Sequence, residues 1–130
     1  MKVKKLLIVD DEADFLETAA QRLSFEGFDV VEALDGDTAL AILAKSDPPD
    51  MVLLDIMMPR LNGIEVFKKM RSDPRTSKTP VIFLTVWDDL VEDTSIRSDP
   101  YCTTLFKPFE FDALVKLMQE IFEGRWPSKG

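Results

Sequence analysis

Apolar residues in this chain fall into two alternating patterns. Short unbroken runs, LLIV at 6–9, MVLL at 51–54 and VIFL at 81–84, have the pattern of strands buried on both faces. Between them the apolar positions space out at helical intervals. Phe15, Leu16, Ala19, Ala20 and Leu23 form one such face, with Gly27 as its C-terminal stop. Residues 29–33 read as a short second strand, after which Asp35-Gly36-Asp37 caps a helix carrying Ala39, Leu40, Ile42 and Leu43. Pro48-Pro49 ends that unit. The third strand, 51–55, runs into a loop with Pro59, Asn62 and Gly63, and then into a helix with Ile64, Phe67 and Met70. Pro80 opens a fourth strand that closes on Thr85. Residues 86–101 are less regular, with a helix expected over 88–97. A fifth strand over 102–106 ends at Lys107-Pro108, and a last amphipathic helix over 109–122 carries Leu114, Leu117, Met118 and Ile121.

Strands alternating with helices imply right-handed crossovers and a parallel sheet covered on both faces, an α/β fold. In such a sheet the C-terminal strand ends share one edge, which is where ligands bind. The expected organisation is one domain over residues 1–123. The segment 124–130, with Pro127 and two glycines, is expected to be a frayed end or the start of a linker.

Composition narrows the chemistry. The chain has 130 residues, 45% of them hydrophobic, enough for a core of its own. Its 24 acidic and 16 basic residues leave a net charge of −8, which disfavours direct binding to nucleic acid or to an anionic membrane. No run is long enough to cross a bilayer. The single cysteine, Cys102, is expected as a small buried apolar residue, and a reducing, cytoplasmic setting fits. With no histidine, any reaction rests on carboxylates, hydroxyls and lysines.

Those groups collect at the strand ends. Asp10 and Asp11 follow the first strand, Asp55 ends the third, Thr85 the fourth, and Lys107 follows the fifth. Three carboxylates on one edge repel with Coulomb terms on the order of a few kcal/mol per pair. A hard divalent cation offsets that, and Mg²⁺, or Mn²⁺ in its place, suits an incomplete oxygen site that leaves room for a phosphoryl oxygen. Thr85 then acts as a hydroxyl donor and Lys107 as a point charge for the incoming anion.

The segments IVDDE, LLDIMMPRLNG, FLT and FKPF, in this order, resemble the receiver domain of bacterial two-component response regulators over residues 4–122. The separations are similar too: 44 residues from Asp11 to Asp55, 30 to Thr85 and 22 to Lys107. The resemblance implies a flavodoxin-like (βα)5 three-layer sandwich with strand order 2-1-3-4-5. It implies Asp55 as phosphoacceptor, Asp11 as a direct Mg²⁺ ligand, Asp10 acting through metal-bound water, and the backbone carbonyl of Met57 as a further ligand. Thr85 and Lys107 would contact the phosphoryl oxygens, and the Lys107-Pro108 bond would be cis. The implied partner is a histidine kinase or histidine phosphotransfer protein. The implied output is a face built from the fourth helix, fifth strand and fifth helix, through which it contacts a downstream protein or effector domain, or a second copy in a homodimer.

Each residue also has a plainer explanation. Asp10 to Glu12 could cap the first helix, and Asp55 could be a turn residue before Pro59. Phe106, Phe109, Met57 and Met58 read as packing residues. The sequence also departs from the family pattern. Val86 and Trp87 follow Thr85 where a small residue is usual, and are expected to crowd the site and slow hydrolysis of the acyl phosphate. Thr104 stands where a switching aromatic is usual, with Phe106 on the same strand face. SDPYCT replaces the usual Gly-Ala lead into the fifth strand. These departures raise an alternative, a non-switching receiver that serves as a constitutive protein-binding module. A phosphatase of the haloacid dehalogenase type is disfavoured, because the position two beyond Asp55, where that family has a second aspartate, is Met57. No effector domain is visible, so the chain either acts alone or is the receiver of a longer regulator.

Overall fold

The computed structural model describes residues 2–45, 47–86 and 93–127. Ten elements alternate along them: β1 (Lys5–Val9), α1 (Ala13–Phe25), β2 (Asp29–Ala33), α2 (Gly36–Leu43), β3 (Met51–Asp55), α3 (Gly63–Ser72), β4 (Val81–Thr85), α4 (Thr94–Arg97), β5 (Cys102–Phe106) and α5 (Phe111–Phe122). The strands form one parallel sheet in the order β2-β1-β3-β4-β5. This is the flavodoxin-like (βα)5 sandwich, and β2, β3 and β5 coincide with the runs read from the sequence.

Because successive strand residues point to opposite faces, each strand feeds two cores. Leu7, Val9, Val52, Leu54, Val81 and Phe83 pack against α2 and α3. Leu6, Ile8, Met51, Leu53, Ile82 and Leu84 pack against α1 and α5. Burial on both sides explains why these strands read as continuous apolar runs. Cys102 is fully buried on the first face, as expected.

Local chemistry sets the helix ends. Asp35 caps α2 by accepting from the Thr38 N–H at 2.7 Å. Asn62 caps α3 by accepting from the Glu65 N–H while the Glu65 carboxylate accepts from the Asn62 N–H, a reciprocal box. Gly27, at φ +100°, lets the chain turn left-handed after α1.

Three expectations change. The last helix starts at Phe111, not at 109, because Phe109 packs edge-on against Phe15 and Glu110 takes an extended N-cap conformation. Phe106 is not part of either core. It ends an edge strand and stays 46% exposed. Met58 is buried, but Met57 is exposed. Of the helix expected over 88–97, only the turn Thr94–Arg97 is described, and Trp87 also lies outside the described residues. At the C-terminal end the Arg125 N–H donates to the Glu120 carbonyl, and Trp126 packs against the α1–α5 core.

Candidate functional site

Strand register brings the acids together. Val9 pairs with Leu54, so Asp10, one residue on, is level with Asp55. Asp55 pairs with Leu84 and Thr85 with Phe106, which sets Thr85 and then Lys107 on the same edge. The Lys107 N–H donates to the Thr85 carbonyl at 2.8 Å. By the alternation of strand residues, Asp10, Asp55 and Lys107 belong to the α1–α5 face, and Thr85 belongs to the α2–α3 face.

Carboxylate oxygens of Asp10, Asp11 and Asp55 all lie within 4.8 Å of one another. Asp10 is fully buried, Asp55 is 6% exposed and Asp11 is open to solvent, so the cluster grades from interior to mouth. Three hard oxygen donors so arranged fit a divalent cation with remaining positions for water. The capping alternative for Asp10 to Glu12 fails in part: Glu12 is the N-cap of α1 and makes no side-chain cap bond, although Asp10 Oδ1 accepts from the Glu12 N–H at 2.9 Å.

Electrostatics are strained in a useful direction. Burial, with Asp10 and Asp11 adding repulsion, raises Asp55 to about 7, while Lys107 and a backbone hydrogen bond from Ile56 pull the other way. The Lys107 ammonium sits 2.7 Å from Asp10 Oδ2 with its side chain 15% exposed. It therefore neutralises the most buried carboxylate. Thr85 is buried. The Lys107-Pro108 peptide is cis. Val86, expected to crowd the site, is 72% exposed.

Two contributors were not singled out from the sequence. Gly63 lies against the backbone of Asp55: a Cβ there would be 2.2 Å from the Asp55 carbonyl oxygen. The Gly63 N–H also donates to the Ile56 carbonyl. Arg60, at φ +66°, approaches Asp35 at 3.6 Å and Asp37 at 3.7 Å, tying the β3–α3 loop to the start of α2. The signal for Gly63 was present in its place directly after the Asn62 cap and eight residues beyond Asp55. What it touches was not.

A parallel five-stranded sheet with clustered acids and a lysine at its C-terminal edge defines the class, and the comparisons agree. The chain belongs to the response regulator receiver domain family, whose model matches residues 6–119. It is similar to the alkaline phosphatase synthesis transcriptional regulatory protein PhoP of Bacillus subtilis, 38% identical over 128 residues, covering 96% of this chain and 52% of that protein. It is also similar to the transcriptional regulatory protein CpxR of Klebsiella pneumoniae, 39% identical over 122 residues, covering 92% and 49%. The chain spans about half the length of the curated relatives it matches. Among solved structures, the chemotaxis response regulator CheY4 of Vibrio cholerae superposes with a TM-score of 0.83 at 28% identity, covering 92% of this chain and 99% of that one. The response regulator TrrA of Thermotoga maritima, solved in complex with Mg²⁺-BeF, gives 0.79 at 29% identity, covering 92% and 99%. As a receiver domain, the chain is a signalling module of two-component systems. No helix among the described residues is long and apolar enough to cross a membrane.

Proposed function

We propose that this receiver takes a phosphoryl group onto Asp55 from a phosphohistidine on a histidine kinase or histidine phosphotransfer protein. The observation that carries this reading is the position of Asp55: nearly buried at a strand end, between two further carboxylates and beside a lysine already held by one of them. An Asp55 carboxylate oxygen forms the bond to phosphorus as the phosphorus–nitrogen bond breaks, and the electron pair leaves on the imidazole. Water later hydrolyses the acyl phosphate. Most of the catalysis in such a transfer is positioning and charge neutralisation.

Asp10, Asp11, Asp55 and the Met57 carbonyl would hold Mg²⁺. When bound, the ion supplies positive charge to the carboxylates and to the phosphoryl oxygens. The Ile56 carbonyl accepts from the N–H groups of Met58 and Gly63, so it is committed to the loop, which supports the next carbonyl as the one offered. Lys107 bridges Asp10 and the incoming phosphoryl oxygens, and Thr85 donates its hydroxyl to the product. The curated relatives are transcriptional regulators of about twice this length, so an output through a separate DNA-binding partner or domain is the natural extension. The net charge of −8 disfavours direct contact of this chain with DNA.

Intact mass tests the reading after incubation with Mg²⁺ and acetyl phosphate. Gain of one phosphoryl group by the wild type, blocked by EDTA and absent in Asp55→Asn, is expected. No gain in the presence of bound Mg²⁺ overturns it. The second reading, a receiver that binds its partner without switching, is favoured by Thr104 at the usual aromatic position and by the clamp between Arg71 and Asp99, which ties the segment leading into β5 to α3. An output surface unchanged on phosphorylation would select it.

A further inference from the structure

A lysine ammonium on a four-carbon stem has no preferred direction of its own, so a lysine that must meet an anion at one spot needs to be aimed. Among the described residues, the Lys107 ammonium meets a carboxylate and a ring face. Asp10 Oδ2 is 2.7 Å away, and the centroid of the Phe15 ring is 4.3 Å away. Phe15 is in turn fixed. Its ring stands edge-on to Phe109 at 6.1 Å and stacks on Phe111 at 6.2 Å, and Phe109 and Phe111 meet edge-on at 5.8 Å. Phe15 comes from the first turn of α1, Phe109 from the connection between β5 and α5, and Phe111 is the first residue of α5. Since the lysine is only 15% exposed, the ring acts on a largely desolvated cation, where attraction to a π face is strongest. Filling this corner of the core would need only an aliphatic side chain. A flat ring presented to an ammonium does more.

We propose that Phe15 is a positioning residue that holds the Lys107 ammonium against the acidic cluster, with Phe109 and Phe111 bracing its ring. The consequence for phosphorylation rests on the phosphoacceptor reading; the geometry does not. Two measurements on wild type, Phe15→Leu, Phe15→Met and Phe15→Tyr therefore separate the two. In NMR spectra, with the Lys107 signals identified by their absence in Lys107→Met, ring current should shift the Lys107 ε-methylene protons upfield of the other lysines in the wild type. The shift should persist in Phe15→Tyr and vanish in Phe15→Leu and Phe15→Met. The rate of phosphorylation by acetyl phosphate with Mg²⁺ should fall roughly five- to tenfold in the two aliphatic variants and recover in Phe15→Tyr. Urea denaturation checks that the variants compared are folded, and Phe15→Met covers a Phe15→Leu that is not. A shift that survives in the aliphatic variants overturns the proposal, as does a wild-type rate in them. If the wild type takes no phosphoryl group, the phosphoacceptor reading fails and the ring-current shift alone decides the role of Phe15.

Discussion

Arg71 of α3 and Asp99, in the turn before β5, meet through both ends of their side chains. Arg71 Nε donates to Asp99 Oδ2 at 2.8 Å and Nη2 to Oδ1 at 3.4 Å. The same guanidinium donates to the carbonyls of Thr76 and Tyr101 and lies over the Phe67 ring. Asp99 Oδ1 also accepts from the Tyr101 N–H at 2.8 Å. The aspartate of SDPYCT thus gives this receiver a tether between α3 and the start of its edge strand.

The tether should be costly to break on one side only. The two side chains are 14% and 12% exposed, so removing either leaves its partner poorly solvated. Asp99→Ala or Arg71→Ala should lower the free energy of unfolding by about 2–4 kcal/mol, and the double variant should lose clearly less than the sum. Urea denaturation measures this, and single variants within about 0.5 kcal/mol of wild type would refute it.

Metal-free protein should lose stability as pH rises toward 8. Asp55 has a folded value of about 7 against an ordinary 3.8, so from pH 4 to 7 the folded state holds a proton that the unfolded state does not. That contribution is complete below pH 4 and is lost as pH passes 7. Asp55→Asn cannot titrate, and above pH 7 it should exceed the wild type by about 2 kcal/mol, after allowing for solvent at the mouth of the pocket. Thermal denaturation at pH 5 and pH 8 in EDTA gives the comparison; equal differences at both values would contradict it.

Adding Mg²⁺ at pH 8 should reverse that loss. An ion that binds only the folded state raises stability with the logarithm of its concentration once sites fill. The rise in melting temperature should be present in the wild type and absent in Asp11→Asn and Asp55→Asn. A rise of equal size in all three would place the ion elsewhere.

Gly63→Ala should damage the site from outside it. The added Cβ would lie 2.2 Å from the Asp55 carbonyl oxygen and 2.9 Å from the Ile56 Cα, both backbone atoms that cannot turn aside. We expect a loss of about 2–3 kcal/mol in stability, together with weaker Mg²⁺ binding as Asp55 moves. Wild-type stability and Mg²⁺ affinity would mean that the loop yields freely.

Much of this was legible along the chain. The runs at 51–55 and 102–106 become β3 and β5 with the same bounds, and Asp35 caps the helix it precedes, while Asn62, read as a loop residue, proves to be the cap of α3. Hydrophobic periodicity and capping are short-range properties that a stretch of ten residues already carries. The strand-end acids were legible for the same reason: each ends a run that it cannot itself extend into the core.

Other features come only from packing. Lys107 reaches Asp10 across 97 positions, and Phe15 faces Lys107 because α1 and α5 cover the same side of the sheet. Helical spacing marks Phe15 as apolar-facing but does not say which group its ring meets. Phe109 is drawn to Phe15 and delays α5, and Phe106, at the end of the edge strand β5, is left half exposed. The sequence by itself determined which segments become strands and helices and which carboxylates end the strands, since those depend on neighbours in the chain. The tertiary structure decided how Lys107 is aimed, how close Gly63 comes to Asp55 and what Arg71 holds, since those depend on groups brought together only when both faces of the sheet are covered.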